Sequence, residues 1–437
     1  MPNSVGVAGG TDYQRGMTST ATRSTVTARS LTEDELPGYL GMVASAFLSD
    51  PRPGRDQLGR TMLATARVIG VFDGARLVGG GTVLARELTL PGPVTCPVGA
   101  VSFVGVRPEA RGRGALRTVM RAQLDLVHSA GAAAGGEPIA ALWASMAPLY
   151  GRFGYGVASR HGALTVPGRA AFRHGAPTGG AVEWLDEEAA AEPIRAVHRG
   201  VRGSRVGWIS RPEVSWRWWL RDDQAERADA TAYRYVVHRP RGGGAPDGYA
   251  VFRFKPEWAA AGPDYDVQLR ELVAATPEAR AGLWRALLDL DLVGRVHHHG
   301  VALDDPILLL LADARAKLTE VADALWIRLV DLDRALAARR YAAPVDLVLA
   351  VTDAFCPWNA GRWRLRVAGD GTAEVTRTEA DADLTCDTTD LASAYLGGIR
   401  LTALAAAGRV RELRPGAVRA ASLAMAGEAE PYCLEVF

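Results

Sequence analysis

The residues of this chain best placed for chemistry form one run, Val104-Gly105-Val106-Arg107-Pro108-Glu109-Ala110-Arg111-Gly112-Arg113-Gly114-Ala115-Leu116-Arg117. Its apolar start reads as a strand and its end as the opening of an amphipathic helix, joined by a loop of arginine and glycine. A helix N-terminus presents backbone N–H groups that lack intrahelical partners, together with the positive end of the helix dipole. That combination suits a pyrophosphate. Gly112 and Gly114 let backbone approach phosphate closely, and Arg111, Arg113 and Arg117 add charge. The run is not a P-loop, because no Gly-Lys-Ser/Thr follows. It is not a dinucleotide fingerprint either, because its glycines do not match G-x-G-x-x-G.

Other clusters carry less. His297-His298-His299 has the residue type of a metal site, but successive residues of a strand face opposite ways, so at most two converge and no metal is expected. Trp216-Arg217-Trp218-Trp219 has the aromatics for base stacking. With 50 Lys+Arg against 49 Asp+Glu, however, the chain lacks the basic surplus of a nucleic-acid binder, and packing between domains or subunits is the expected use. Cys96, Cys356, Cys386 and Cys433 lie far apart without a CxxC pair or zinc-type spacing, which implies free thiols in a reducing compartment. No apolar run nears the roughly 20 residues of a membrane span. Residues 1–25 lack the apolar core of a signal peptide. A cytoplasmic protein with neither a membrane nor a nucleic-acid partner is expected.

These residues need a scaffold, and 437 residues allow two or three domains. Residues 1–25, polar and rich in Gly, Ser and Thr, read as a disordered leader. A strand over Val26–Arg29 precedes Thr32-Glu33-Asp34-Glu35, a capping box with Leu31 and Leu36 as its staple, and a helix through Leu40, Val43, Ala44 and Phe47. Strands over Arg67–Phe72 and Leu77–Leu84 meet at the turn Asp73-Gly74. Val98–Val106 and Ile139–Ala144 read as strands on either side of a helix from Ala115 to about Ala130. Pro167–Gly180 reads as a linker. Beyond it, a strand over Asp266–Ala274 enters Pro277-Glu278-Ala279-Arg280 and a helix, echoing Pro108-Glu109-Ala110-Arg111 in the same strand, turn and helix order. The echo implies a duplicated domain, with Ala281-Gly282-Leu283 where the first copy has Gly112-Arg113-Gly114. From Trp326 onward the pattern changes to strands over Val345–Val351, Arg362–Ala368 and Ala373–Thr378, with helices over Asp387–Leu396 and Ala403–Ala407.

The Arg/Gly loop resembles the acetyl-CoA signature of the GNAT superfamily, R/Q-x-x-G-x-G/A after the fourth strand, with Arg111-Gly112-Arg113-Gly114 departing from that spacing. A second run, Leu142-Trp143-Ala144-Ser145-Met146-Ala147-Pro148-Leu149-Tyr150-Gly151-Arg152-Phe153-Gly154-Tyr155-Gly156, is similar to the Eis (enhanced intracellular survival) branch. There a Tyr-Gly-Arg-Phe-Gly-Tyr run follows the fifth strand and the chain ends in Phe, as it does here at Phe437. The likeness covers about residues 26–437. It implies an α/β (α+β) fold of two GNAT-like domains, with mixed sheets flanked by helices, plus a C-terminal sterol-carrier-protein-like α+β domain. The implied bounds are 26–166, 181–325 (degenerate, without a cofactor site) and 326–437, in a homohexamer.

The resemblance also implies the site. Val104, Gly105 and Val106 would bond the pantetheine arm of acetyl-CoA through backbone, and Arg111, Gly112, Arg113, Gly114, Ala115, Leu116 and Arg117 would hold its pyrophosphate. Ser145 and Met146 would flank the thioester, although many relatives carry an acidic residue at the latter position. Tyr150 would be the general acid and the α-carboxylate of Phe437 the general base. The chemistry agrees: a tyrosine hydroxyl, pKa about 10, can protonate a departing thiolate whose thiol has pKa about 8.5. A carboxylate can accept the amine's proton, and no Cys beside a His suggests a covalent acyl-enzyme. The implied reaction is direct attack on acetyl-CoA by a primary amine of a polycationic small molecule such as an aminoglycoside. The alternatives are a lysine or N-terminal peptide acetyltransferase, or a lipid-binding protein with a vestigial GNAT site. Several carboxylates in the pocket would favour polycations and a long groove would favour peptides.

Overall fold

A computed structural model of the chain describes residues 26–50, 53–133, 136–260, 262–313 and 315–437; the expected leader over residues 1–25 lies outside them. Two seven-stranded sheets and one five-stranded sheet organise it, beside a short hairpin. The first sheet runs in the order Thr27–Ser30, Arg67–Asp73, Arg76–Leu90, Val94–Val106, Ile139–Trp143, Leu325–Leu329, Gly156–Val157. The strands of this lobe fall where apolar alternation and the Asp73-Gly74 turn put them, extended by a few residues at Leu90 and Val94. The helix Ala115–Ala133 buries Val119, Met120, Leu124 and Val127 against this sheet. Thr32 and Glu35 form the expected capping box at the entrance to the helix Leu36–Ala46.

The ladder between Val94–Val106 and Ile139–Trp143 is the feature that prepares a site. It is parallel, and it holds only where Val98, Gly99 and Ala100 face Ile139, Ala140 and Ala141. Beyond Ala100 the two strands part, so the backbone from Val101 onward has no ladder partner on that side. Opposite, the pairing with Arg76–Leu90 shifts register between Gly80 and Thr82, where Phe103 takes a left-handed φ of 51°. The Tyr39 hydroxyl donates to the Phe103 carbonyl at 2.7 Å and holds this bulge. The bulge bends the strand away from its neighbour and opens a wedge.

The second sheet, Leu318–Asp323, Arg160–Pro167, Val293–Val301, Tyr265–Ala274, Gly248–Lys255, Arg234–Arg239, Ala181–Leu185, repeats the plan. Tyr265–Ala274 pairs in parallel with Val293–Val301, and the helix Pro277–Leu288 lies between them in sequence, matching the echo. The two lobes are clasped by exchange. Arg160–Pro167, expected within the first domain, pairs in the second sheet, and Leu325–Leu329, placed across the 325/326 boundary, completes the first. Boundaries at 166 and 325 therefore cut through a crossing of strands that local pattern cannot reveal. Six α-helices lay outside the sequence reading, Pro53–Leu63, Glu187–Arg202, Glu213–Trp219, Ile307–Leu310, Leu332–Ala338 and Ala417–Ala424; the first opens with Pro-Gly and is nearly all polar on its exposed side.

The third sheet, Ala373–Arg377, Gly361–Val367, Val345–Thr352, Leu384–Asp387, Val410–Glu412, packs through its helices on the first lobe. A buried pair joins them: Arg328, on the exchanged strand, meets Asp353 at 2.5 Å, and Asp353 also accepts from the Cys356 N–H at 2.8 Å and the Thr388 hydroxyl at 3.0 Å. The Arg328 guanidinium lies against Gly154, whose φ is +81°. Gly154→Ala combines a strained φ with a clash against a buried cation, and it should lower stability by about 2 kcal/mol or more. Urea unfolding measures that loss. Activity should fall with it, because Gly154 ends the turn that carries Tyr150.

Candidate active site

The wedge between the parted strands opens into a cavity of about 610 Å³. On its wall stand Val104 from one strand, Ser145 just past the other, and Tyr150 from the helix Ala147–Tyr150. Phe437, the last residue, reaches the same cavity. Four of the expected site residues thus converge from strand, turn, helix and chain end. Phe47 and Asp50 also line the cavity.

Burial raises the Tyr150 phenol above its ordinary pKa, and the hydrogen bond with Ser145 offsets part of the shift. Tyr150 therefore stays protonated at neutral pH, the form an acid catalyst needs. Tyr155 packs edge-to-face on its ring with centroids 6.2 Å apart and is itself fully buried, in keeping with a structural part. Met146 behaves differently from Ser145. Its side chain is 58% exposed and stays off the cavity wall, at the start of the short helix.

At the other end of the wedge, Gly112 and Gly114 take φ values of +77° and +88° and turn the loop into the helix Ala115–Ala133. Gly114 has no side chain to occupy the helix start, so the N–H groups of Ala115, Leu116 and Arg117 remain for a ligand. In the second lobe the Thr276 hydroxyl accepts from the Ala279 N–H at 3.1 Å and itself bonds Asp247 at 2.7 Å. That helix start is satisfied by the protein. The arginines are already oriented: Arg111 bonds the Ala46 carbonyl at 3.2 Å, Arg113 faces Asp73 at 3.8 Å, and Arg117 lies 5.1 Å over the Phe355 ring of the third domain. Counted from Arg111, the spacing R-x-x-G is kept through Gly114, and Leu116 stands at the position that takes Gly or Ala. The departure lies in Leu116 and not in the glycines.

What sequence reasoning missed is how Phe437 arrives. The final segment runs between the two lobes with its side chains buried from Tyr432 to Glu435. Glu435 is buried and does not line the cavity. Arg211 donates to it at 2.8 Å and to both oxygens of Glu271 at 3.2 and 3.1 Å, with the Arg211 and Glu271 side chains fully buried. Burial raises Glu435, and Arg211 offsets this only in part. Burial acts likewise on Glu271, but there the Arg211 guanidinium prevails and holds the carboxyl below its usual range. Trp216 and Trp219 cover the guanidinium at 4.3 and 5.1 Å, which gives the tryptophan cluster its domain-packing use. The Trp143 indole donates to the Glu435 carbonyl at 2.8 Å, tying the tail to the active-site strand. Arg211→Met leaves two carboxylates buried without a cation and should cost about 3–5 kcal/mol, read by urea unfolding. It should also release the tail, lowering activity even in the fraction that stays folded.

The cavity wall carries mixed charge. Asp50 and Asp56 share the wall with Arg55, Arg221 and Arg270 and with Phe47, Trp143, Trp218, Trp219 and Phe437. The chain separation of these groups hides them from any local motif. His298, in the triple-histidine run, is buried and bonded to the Leu269 carbonyl at 3.1 Å, while His297 contacts Thr165 at 2.9 Å. Among the described residues no helix is long and apolar enough to cross a membrane.

Residues 27–158 and 207–329 each match the acetyltransferase (GNAT) domain family, and residues 332–434 match the sterol carrier protein domain family. An uncharacterized N-acetyltransferase of Streptomyces avermitilis is 39% identical over 86% of this chain and 90% of its own length. The N-acetyltransferase Eis of Mycobacterium tuberculosis is 36% identical over 89% of this chain and 93% of its own. The crystal structure of Eis1 from Mycobacterium abscessus superposes with a TM-score of 0.81 at 31% identity, covering 94% of this chain and 100% of that one.

Proposed function

Because this chain belongs to the Eis-type N-acetyltransferases of the GNAT superfamily, acyltransferases with two GNAT domains ahead of a sterol carrier protein domain, we propose that it moves the acetyl group of acetyl-CoA to a primary amine of a small molecule held in the wedge cavity. The single observation that carries this reading is the convergence of Val104, Ser145, Tyr150 and Phe437 on one cavity from distant parts of the chain. Acetyl-CoA supplies the thioester. Backbone groups of Val104, Gly105 and Val106, unpaired on the side facing the wedge, hold its pantetheine arm. The Arg111–Arg117 loop and helix start hold its pyrophosphate, and Ser145 flanks the thioester. The neutral amine attacks the carbonyl carbon, the C–N bond forms and the C–S bond breaks. The terminal carboxylate accepts the amine's proton and Tyr150 gives its own to the departing thiolate. As written, no step uses a metal.

Aminoglycosides are the first acceptors to offer, since Asp50, Asp56 and the Phe437 carboxylate can each receive an ammonium. We also take the enzyme to be cytoplasmic, to work as a homo-oligomer, hexameric by resemblance, and to need neither nucleic acid nor membrane; light scattering of the purified protein reads its assembly. Mass spectrometry after incubation with acetyl-CoA and kanamycin tests the reaction. One acetyl group on the amine and none on the protein supports direct attack, whereas an acetylated protein on the reaction path would overturn it.

A further inference from the structure

A second cavity, of about 380 Å³, lies behind the first, and the two share a wall formed by Trp143, Trp219, Arg270 and Val436. His161, Arg253, His297 and His299 also line it, with Tyr233, Tyr432 and Cys433, and no Asp or Glu does. Arg253 is already engaged, by the Tyr233 hydroxyl at 2.7 Å and by Asp222 at 3.9 Å. Arg270 is not. Its guanidinium lies 3.7 Å over the Trp219 ring and donates to the Trp219 carbonyl at 3.4 Å, but it forms no ion pair with any described residue. The nearest buried carboxylate, its neighbour Glu271, is taken up by Arg211 and by the Trp219 and Tyr249 side chains. The protein around Arg270 pulls its pKa down, yet the side chain is exposed, its surface open to both cavities. A cation with unused donors at the junction of two cavities is a receptor for an anion, and a planar guanidinium matches a carboxylate best.

Resting on the amine-acetylating reading above, we infer that the acceptor carries a carboxylate as well as its amine, and that Arg270 binds this carboxylate while the amine faces the thioester. No carboxylate lines the rear cavity to oppose the same group. A purely polycationic acceptor gains from Asp50 and Asp56 but must set one of its charges against Arg270 or leave that part of the site empty.

Three linear amines that differ only at the far end separate these outcomes: 6-aminohexanoate, hexylamine and 1,6-diaminohexane. Calorimetry with the full-length protein saturated with CoA reads their binding without any need for turnover. 6-Aminohexanoate should bind at least about tenfold more tightly than the other two, the equivalent of one charge-assisted hydrogen bond. The preference should fall to near unity in Arg270→Gln and persist in part in Arg270→Lys. Equal binding of all three amines, tighter binding of the diamine, or a preference unchanged in Arg270→Gln would overturn the assignment. Thiol release from acetyl-CoA with the same amines reads the other half. Binding preference without thiol release would fault the acetyl-transfer reading and leave the carboxylate site standing. Release without preference would do the reverse.

Discussion

Tyr150→Phe should lower kcat by about 10²- to 10³-fold while leaving KM for acetyl-CoA within a factor of two or three. The phenol stands on the cavity wall beside Ser145, at the end proposed for the thioester, and outside the Arg111–Arg117 run proposed for the pyrophosphate. Removing one oxygen keeps the ring, its packing against Tyr155 and the fold of the turn. The effect therefore belongs to proton delivery. Because burial raises the Tyr150 pKa above about 10, the wild-type rate should not decline between neutral pH and about pH 9.5, and a fall due to Tyr150 should begin only above that. Steady-state kinetics across pH check both points. A Tyr150→Phe variant within threefold of wild type in kcat would remove the tyrosine from the mechanism.

Extending the chain by one glycine beyond Phe437 should be almost as damaging, at about 10²-fold or more in kcat/KM. The extension leaves every side chain in place and moves only the terminal carboxylate, by about one residue's length. The tail up to Glu435 is fixed by the Arg211 clamp, the Trp143 bond and the Tyr432 N–H, which donates to the Val206 carbonyl at 2.9 Å. Phe437 therefore has little freedom to bring a displaced carboxylate back. The melting temperature should not change, which separates loss of the base from loss of the fold. Full activity in the extended chain would mean that another group accepts the amine's proton.

The parts of this design that sequence reveals are those set by neighbours in the chain. The Arg/Gly loop announces itself because the two glycines, the arginines and an amphipathic helix follow one another directly, and the Thr32 capping box is likewise local. The duplicated lobe is legible through Pro277-Glu278-Ala279-Arg280 for the same reason. The roles proposed for Tyr150 and Phe437 come only through resemblance, since nothing around either residue specifies its distant partner. The exchange of Arg160–Pro167 for Leu325–Leu329 left no local trace, because a strand's alternation does not say which sheet it joins. Glu435 and Arg211 were hidden for a related reason: the two read as ordinary surface charges until folding buries them against Glu271. The mixed charge of the cavity, with Arg270 between its two chambers, also arises only where three separate segments meet.

The most direct test of the central claim is thiol release from acetyl-CoA by the purified, untagged-terminus protein, with and without an amine acceptor, using kanamycin and 6-aminohexanoate in parallel. Release should depend on the amine, exceed hydrolysis, and collapse in Tyr150→Phe. Protein that neither binds acetyl-CoA nor releases thiol with either amine would contradict it.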